Sequence, residues 1–197
     1  MTQGVVATVA LGFMWLVATA SGMSLVWDYE YSPGDSAMAP ARWPATSGLA
    51  RRADRATLVM IADPGCPCAR ASLHELARLM TRVQGRLTAH VLLVRPSEAP
   101  AGWEKSDIWR APAAIPGVDL TRDVDGAETG RFGALTSGQV LLYNSEGDLQ
   151  FAGGITPARG HEGDNPGRDA VVALLTGKNA AQRATPVYGC ALTTPAS

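Results

Sequence analysis

The sequence predicts an α/β domain behind an N-terminal transmembrane helix, on three observations. First, an apolar run from Thr57 to Ala62 reads as a buried strand and leads into Asp63-Pro64-Gly65-Cys66-Pro67-Cys68-Ala69-Arg70; beyond it Leu73, Leu76, Ala77, Met80 and Val83 recur at helical spacing. Second, Gln139 to Tyr143 and Leu149 to Ala152 flank Asn144-Ser145-Glu146-Gly147-Asp148, the pattern of a β-hairpin with a Gly-containing loop. Third, Val5 to Trp27 is uncharged and mostly apolar, long enough to cross a bilayer core of ~30 Å at ~1.5 Å per residue.

From the N-terminus, residues 1–31 form the expected anchor, with Trp27, Tyr29 and Tyr31 at its end where interfacial aromatics sit. A cleavable signal peptide is the rival, because Ala18-Thr19-Ala20 mimics a cleavage site, although no Lys or Arg precedes Val5. Residues 32–55 are rich in Pro, Ala, Gly and Ser and read as a linker, with Trp43-Pro44 able to dock on the domain. The globular part is expected over 56–177. After the first helix, Arg86 to Arg95 reads as a second buried strand stopped by Pro96. Pro100 to Pro116 holds Trp103, Ile108 and Trp109 and suits a short helix; Val118 to Leu120 extends briefly. Asp123-Val124-Asp125-Gly126 reads as a turn with an acidic helix cap, because a calcium loop with Gly126 at its glycine position would put Phe132 where the bidentate Glu belongs. Asn165 and Pro166 are N-cap and N1 of a last helix, with Gly177 just past its end. The tail, 178–197, carries Cys190.

Net charge is −1 and hydrophobic content 46%, which excludes a nucleic-acid footprint and disorder. The three cysteines, Cys66, Cys68 and Cys190, are too few and odd in number for a disulfide scaffold, so they point to chemistry. With Cys66 as N-cap and Pro67 at N1, the first-turn N–H groups face the Cys66 sulfur. A helix start favours an anion by about 0.3–1 kcal/mol, less than one pKa unit, so Arg70 or another cation is needed for a strongly acidic thiol.

The order strand, Cys motif, helix, strand, helical insert, hairpin, helix resembles the thioredoxin fold over Thr57–Gly177. More narrowly, the strings C-P-C-A-R-A-S-L-H-E-L, F-G-A-L-T-S-G-Q-V-L-L-Y, F-A-G-G-I-T-P-A-R-G-H-E-G-D-N-P-G and the late Y-G-C resemble the membrane-anchored thioredoxin-like proteins of the RedB-like group. The resemblance implies a central mixed sheet flanked by helices and a placement in a bacterial-type inner membrane with the domain on the extracytoplasmic side. There are two departures. The motif is Cys-x-Cys rather than Cys-x-x-Cys, leaving open whether Cys66 matches the attacking or the second cysteine. Thr136-Ser137-Gly138 stands where thioredoxins keep a cis-proline, which is expected to leave room for a metal or another ligand.

The implied fold brings Ser137 and the stretch Gly153–His161 toward Cys66, making Ser137, Thr156, Arg159 and His161 supporting candidates beside Pro67 and Arg70. Arg159 suits a thiolate-stabilising charge and His161 a proton shuttle or soft-metal ligand. His74 and His90 read as structural. A bridge between Cys66 and Cys68 would be strained. Lys178 to Cys190 spans ~40 Å when extended, at ~3.3 Å per residue, enough to return Cys190 to the motif. Three functions follow. In one, the chain is a thiol–disulfide oxidoreductase acting on protein thiols or disulfides, with Cys66 as nucleophile and Cys68 or Cys190 resolving, and no cofactor. In another, Cys66, Cys68 and His161 form a copper or zinc site. In the third, the chain is an anchored partner module with incidental thiols.

Overall fold

β1 (Ala56–Ala62) is the middle strand of the sheet, buried from Thr57 onward. In this computed structural model, which describes residues 2–100, 102 and 107–192, β1 pairs in parallel with β2 (Leu87–Arg95) and antiparallel with β4 (Gln139–Tyr143). β3 (Val118–Val124) adds in parallel outside β2, and β5 (Leu149–Gly154) antiparallel outside β4, giving the mixed order β3-β2-β1-β4-β5. Side chains alternate across a strand, so Leu58, Met60 and Ala62 face one core and Val59 and Ile61 the other. The first core is closed by α2 (Ala69–Arg82), α5 (Pro166–Leu175) and Ile108 and Trp109 of α3 (Asp107–Arg110). On the second face Phe132, which ends α4 (Ala127–Arg131), meets Trp43 and Tyr143 edge-to-face, at centroid separations of 5.1 Å from Trp43 and 6.1 Å from Tyr143.

The hairpin and the last helix fall where the pattern puts them, and the first helix carries Leu73, Leu76 and Met80 on its buried face. Asn165 caps α5, its side chain accepting the Arg168 N–H at 2.7 Å, and Gly177 follows the helix at φ +72°. Expected Trp103 lies outside the described residues; Ile108 and Trp109 are buried in α3, and a one-turn 3-10 helix follows at Pro112–Ala114. β3 runs four residues beyond Leu120, as an edge strand with Asp119 and Arg122 exposed and Asp123 buried. Asp123, at its end, takes the N–H groups of Glu128 and Thr129 at 2.8 and 2.7 Å and so caps α4. Across to α5, buried Glu75 of α2 pairs with buried Arg168.

Two stretches outside 56–177 belong to the compact unit that starts at Pro33. The segment expected as a linker packs down instead: Ala39 is buried, the Trp43 N–H bonds the Gly147 carbonyl at 2.7 Å, and Tyr143 donates to the Pro40 carbonyl at 3.0 Å. Its Ala39, Trp43 and Leu49 cover the second core, so the apolar residues scattered through this segment signal packing. The tail runs parallel to β5, with the Ala152 N–H on Arg183 O at 3.0 Å and Gly154 N–H on Pro186 O at 3.2 Å. A Cβ on Gly154 would come within 2.6 Å of the Pro186 oxygen, so only glycine admits the tail this closely.

The other unit is α1 (Thr2–Tyr31), a single helix whose described side chains are exposed apart from half-buried Glu30, and about 45 Å long at ~1.5 Å per residue. It is long and apolar enough to cross a membrane, a test that a signal sequence also passes. The rings of Trp27 and Tyr31 lie one turn apart, with centroids at 4.5 Å.

Candidate active site at the Cys66 turn

Cys66 sits in a turn ahead of α2. The helix starts at Ala69 with Cys68 in the N-cap position and no side chain capping it, so the expected cap at Cys66 and N1 at Pro67 is corrected by two residues. The cause is local. The Cys66 N–H bonds Asp63 O at 3.0 Å and the Ala69 N–H bonds Cys66 O at 3.1 Å, closing two tight turns before helical bonding begins. The Asp63 carboxylate holds the Gly65 N–H at 2.8 Å and fixes the first of them.

The thiols are buried: Cys66 is 1% and Cys68 6% accessible. What covers Cys66 is the tail. The Ser137 N–H bonds the Cys190 carbonyl at 2.9 Å and the Leu192 N–H bonds the Leu135 carbonyl at 2.8 Å, an antiparallel pairing centred on Thr136 and Ala191. This sets the Cys190 sulfur 2.9 Å from that of Cys66, with the Cys190 N–H 3.4 Å from the same Cys66 sulfur. Gly189 lies on the Ser137 carbonyl so closely that a Cβ would overlap it.

Ser137 reaches the site because the Gly138 N–H bonds Ile61 O at 2.7 Å, extending the β1–β4 ladder past its last pair. Its hydroxyl oxygen accepts the Asp63 N–H at 3.0 Å, and the hydroxyl favours the Cys66 thiolate. Burial pushes the Cys66 thiol up, but the Cys190 thiol and N–H, the Cys68 N–H and the Ser137 hydroxyl together outweigh it and hold the thiol below the ordinary 9.0. Cys68 is raised by burial and by the neighbouring Cys66 charge. Cys190 is pushed up to about 12 by burial first, then by donating to Cys66 and by the charges of Cys66 and Cys68. Arg159, half-buried, donates to the Gly189 carbonyl and its charge favours the thiolates of Cys68 and Cys190.

Of the other expected residues, Pro67 and Arg70 are exposed, and the cation acting on the thiols is Arg159 rather than Arg70. Thr156 is buried in the loop after β5. His161 is exposed, its N–H turned back to Ala158 O at 3.3 Å. Among the described residues no three His, Cys, Asp or Glu side chains come together to hold a metal ion, so the expected Cys66, Cys68 and His161 set for copper or zinc is not assembled. His74 pairs with Glu162 at 2.6 Å and His90 bonds Ala50 O at 2.9 Å, both structural. Sequence reading missed Asp63 and Gly189; the glycine directly before Cys190 was the available signal.

No protein-family model matches the sequence, and no curated protein matches it. Solved structures do. A hypothetical protein from Sinorhizobium meliloti 1021 superposes with a TM-score of 0.63 at 21% identity, covering 81% of this chain and 96% of that one. An uncharacterized conserved protein from Geobacillus kaustophilus gives 0.60 at 16% identity, over 85% and 95%. A secreted Mycobacterium tuberculosis disulfide oxidoreductase homologous to E. coli DsbE overlaps at 0.46 and 14% identity, over 64% and 83%. The fold is thioredoxin-like. In this thioredoxin-like frame the Cys66 turn lies at the end of the central strand, and the loop entering β4 faces it, as the resemblance implied.

Proposed function

We propose that this chain is a membrane-tethered thiol–disulfide oxidoreductase of the RedB-like kind, acting on protein thiols or disulfides through Cys66 and Cys190. The observation that carries this reading is the 2.9 Å approach of those two sulfurs, with the lower-pKa thiol being Cys66. The Cys66 thiolate attacks one sulfur of a partner disulfide; that bond forms, the partner S–S bond breaks, and the second partner sulfur leaves as a thiolate that takes a proton from water. With Cys66 now in a mixed disulfide, its charge no longer holds the Cys190 proton, and Cys190 loses it to solvent. The Cys190 thiolate then attacks the Cys66 sulfur, closing Cys66–Cys190 and releasing the first partner sulfur as a thiolate. The partner gains two electrons and this chain loses two; run backwards, the same steps oxidise a dithiol. Cys68, raised in pKa, stands by as a spare thiol.

A glutathione redox titration with counting of alkylatable thiols tests the couple. Cys68→Ser retains a two-electron couple, whereas Cys66→Ser and Cys190→Ser each abolish it. Loss in Cys68→Ser with retention in Cys190→Ser contradicts the assignment. The reading includes α1 as an uncleaved anchor, which its apolar length allows, in a bacterial-type inner membrane with the thiol domain outside the cytoplasm, the side that the thiol motif and the RedB-like resemblance imply. Full-length chain that stays in the membrane pellet through carbonate extraction is the expected result; a soluble chain starting just after Ala20 contradicts it.

A further inference from the structure

We infer that Leu135–Ser137 is a docking strip for an extended segment of the partner protein reading Gly-Cys-any-apolar, and that residues 189–192 of this chain hold the strip when the partner is absent. The inference rests on the redox reading above. The tail shows how such a segment binds. Its two ties to the strip, Ser137 N–H to Cys190 O and Leu192 N–H to Leu135 O, are main-chain bonds that any extended sequence makes. They fix the register, and a cysteine at that register puts its sulfur against Cys66, as Cys190 does.

Side-chain demands arise at only some positions. The residue before the cysteine lies on the Ser137 carbonyl, where a Cβ does not fit, so it is glycine. The residue after it, occupied by Ala191, is exposed and free to vary. The next, occupied by Leu192, is buried against the second core and must be apolar.

The tail is built to yield only this end. From Arg183 to Val187 it is fixed to β5 and to the N-terminal arm, with the Gly34 N–H on Val187 O at 2.8 Å. From Gly189 on, the ties among the described residues are the two strip bonds, the contacts to Cys66, the Arg159 donation and the packing of Leu192 on the second core, which a partner's apolar residue replaces. Tyr188 is thus the hinge, and Cys190 stays tethered within reach while a partner cysteine occupies its place. The order of events is then displacement of 189–192, attack of Cys66 on the docked sulfur, and return of Cys190 to release the partner as a thiolate.

The probe is a synthetic Val-Tyr-Gly-Cys-Ala-Leu peptide whose cysteine carries 2-nitro-5-thiobenzoate through a disulfide. Attack of Cys66 on the peptide sulfur forms the Cys66–peptide bond and releases the coloured thiolate. The rate is read on the reduced full chain, on Gly189→Val, whose tail cannot lie on Ser137, and on Cys66→Ser. Expected are a rate about tenfold higher for Gly189→Val than for the native chain, and a drop of about tenfold when the peptide's Gly becomes Val or its Leu becomes Asp. Changing the peptide's Ala to Arg leaves the rate unchanged. Peptides that all react within about twofold of each other overturn the docking strip, as does a Gly189→Val chain no faster than the native one. If Gly189→Val does not melt cooperatively, Arg159→Ala, which removes a tie to the Gly189 carbonyl, takes its place with the same direction expected. Failure of the redox reading looks different: the Cys66→Ser chain then releases the chromophore as fast as the native one.

Discussion

Cys66 owes its acidity to neighbours from distant parts of the chain. Burial opposes ionisation, and hydrogen bonds from Cys190, Cys68 and Ser137 reverse the balance. Ser137→Ala removes one donor to the thiolate, so the pH inflection of Cys66 alkylation in the reduced chain moves up toward 9. An unchanged inflection would leave Ser137 as a loop residue only. The linkage sign follows. Cys66 binds fewer protons folded than unfolded, so its share of stability is lost as pH falls through its lowered pKa; Cys190, raised to about 12, contributes stability that is lost as pH rises from 9 toward 12. The motif itself was plain in the sequence, since strand, turn and helix signals bracket Cys66 and Cys68. The covering of those thiols was not, because the tail that buries them is 124 residues away from Cys66 and its length showed only that Cys190 was able to return.

Between elements, α2 and α5 are clamped by Glu75 and Arg168, both almost wholly buried. Arg168 also reaches Asp164 at 3.1 Å, and Glu75 takes the Gly163 N–H at 2.8 Å, so the loop after β5 is tied to the helix that follows the Cys66 turn. Glu75→Gln removes the buried counter-ion of Arg168, leaving it only the solvent-exposed carboxylates of Asp164 and Asp169, and is expected to cost about 3 kcal/mol of unfolding free energy in a denaturant titration; a loss within about 0.5 kcal/mol, the range of ordinary surface changes, would contradict the clamp. The helix periodicity around Leu73, Leu76 and Met80 was legible from the sequence. Glu75 was not singled out, since a carboxylate among them reads as solvent-facing until its partner ninety-three residues on is placed. β3 was cut short for a related reason: Thr121-Arg122-Asp123 lacks the apolar content of a central strand, and an edge strand does not need it.

At the scale of the whole molecule, the arm from Pro33 and the tail from Arg183 enlarge a thioredoxin-like core that the sequence placed at 56–177. The arm seals the second core with Trp43, and the tail covers the outer edge of β5 before turning over Cys66. An open sheet edge invites foreign strands; the tail pairs along β5 at one edge of the sheet and then crosses to Thr136, where residues 189–192 form the lid over the thiol. The same closure makes Cys190 the thiol that meets Cys66 and leaves Cys68 on the helix cap. Oxidising the full-length chain with glutathione disulfide, blocking the remaining thiols and mapping the linked peptides by mass reads this directly. A Cys66–Cys190 link with Cys68 blocked is the expected map; a Cys66–Cys68 link, or three blocked thiols under oxidising conditions, would contradict it.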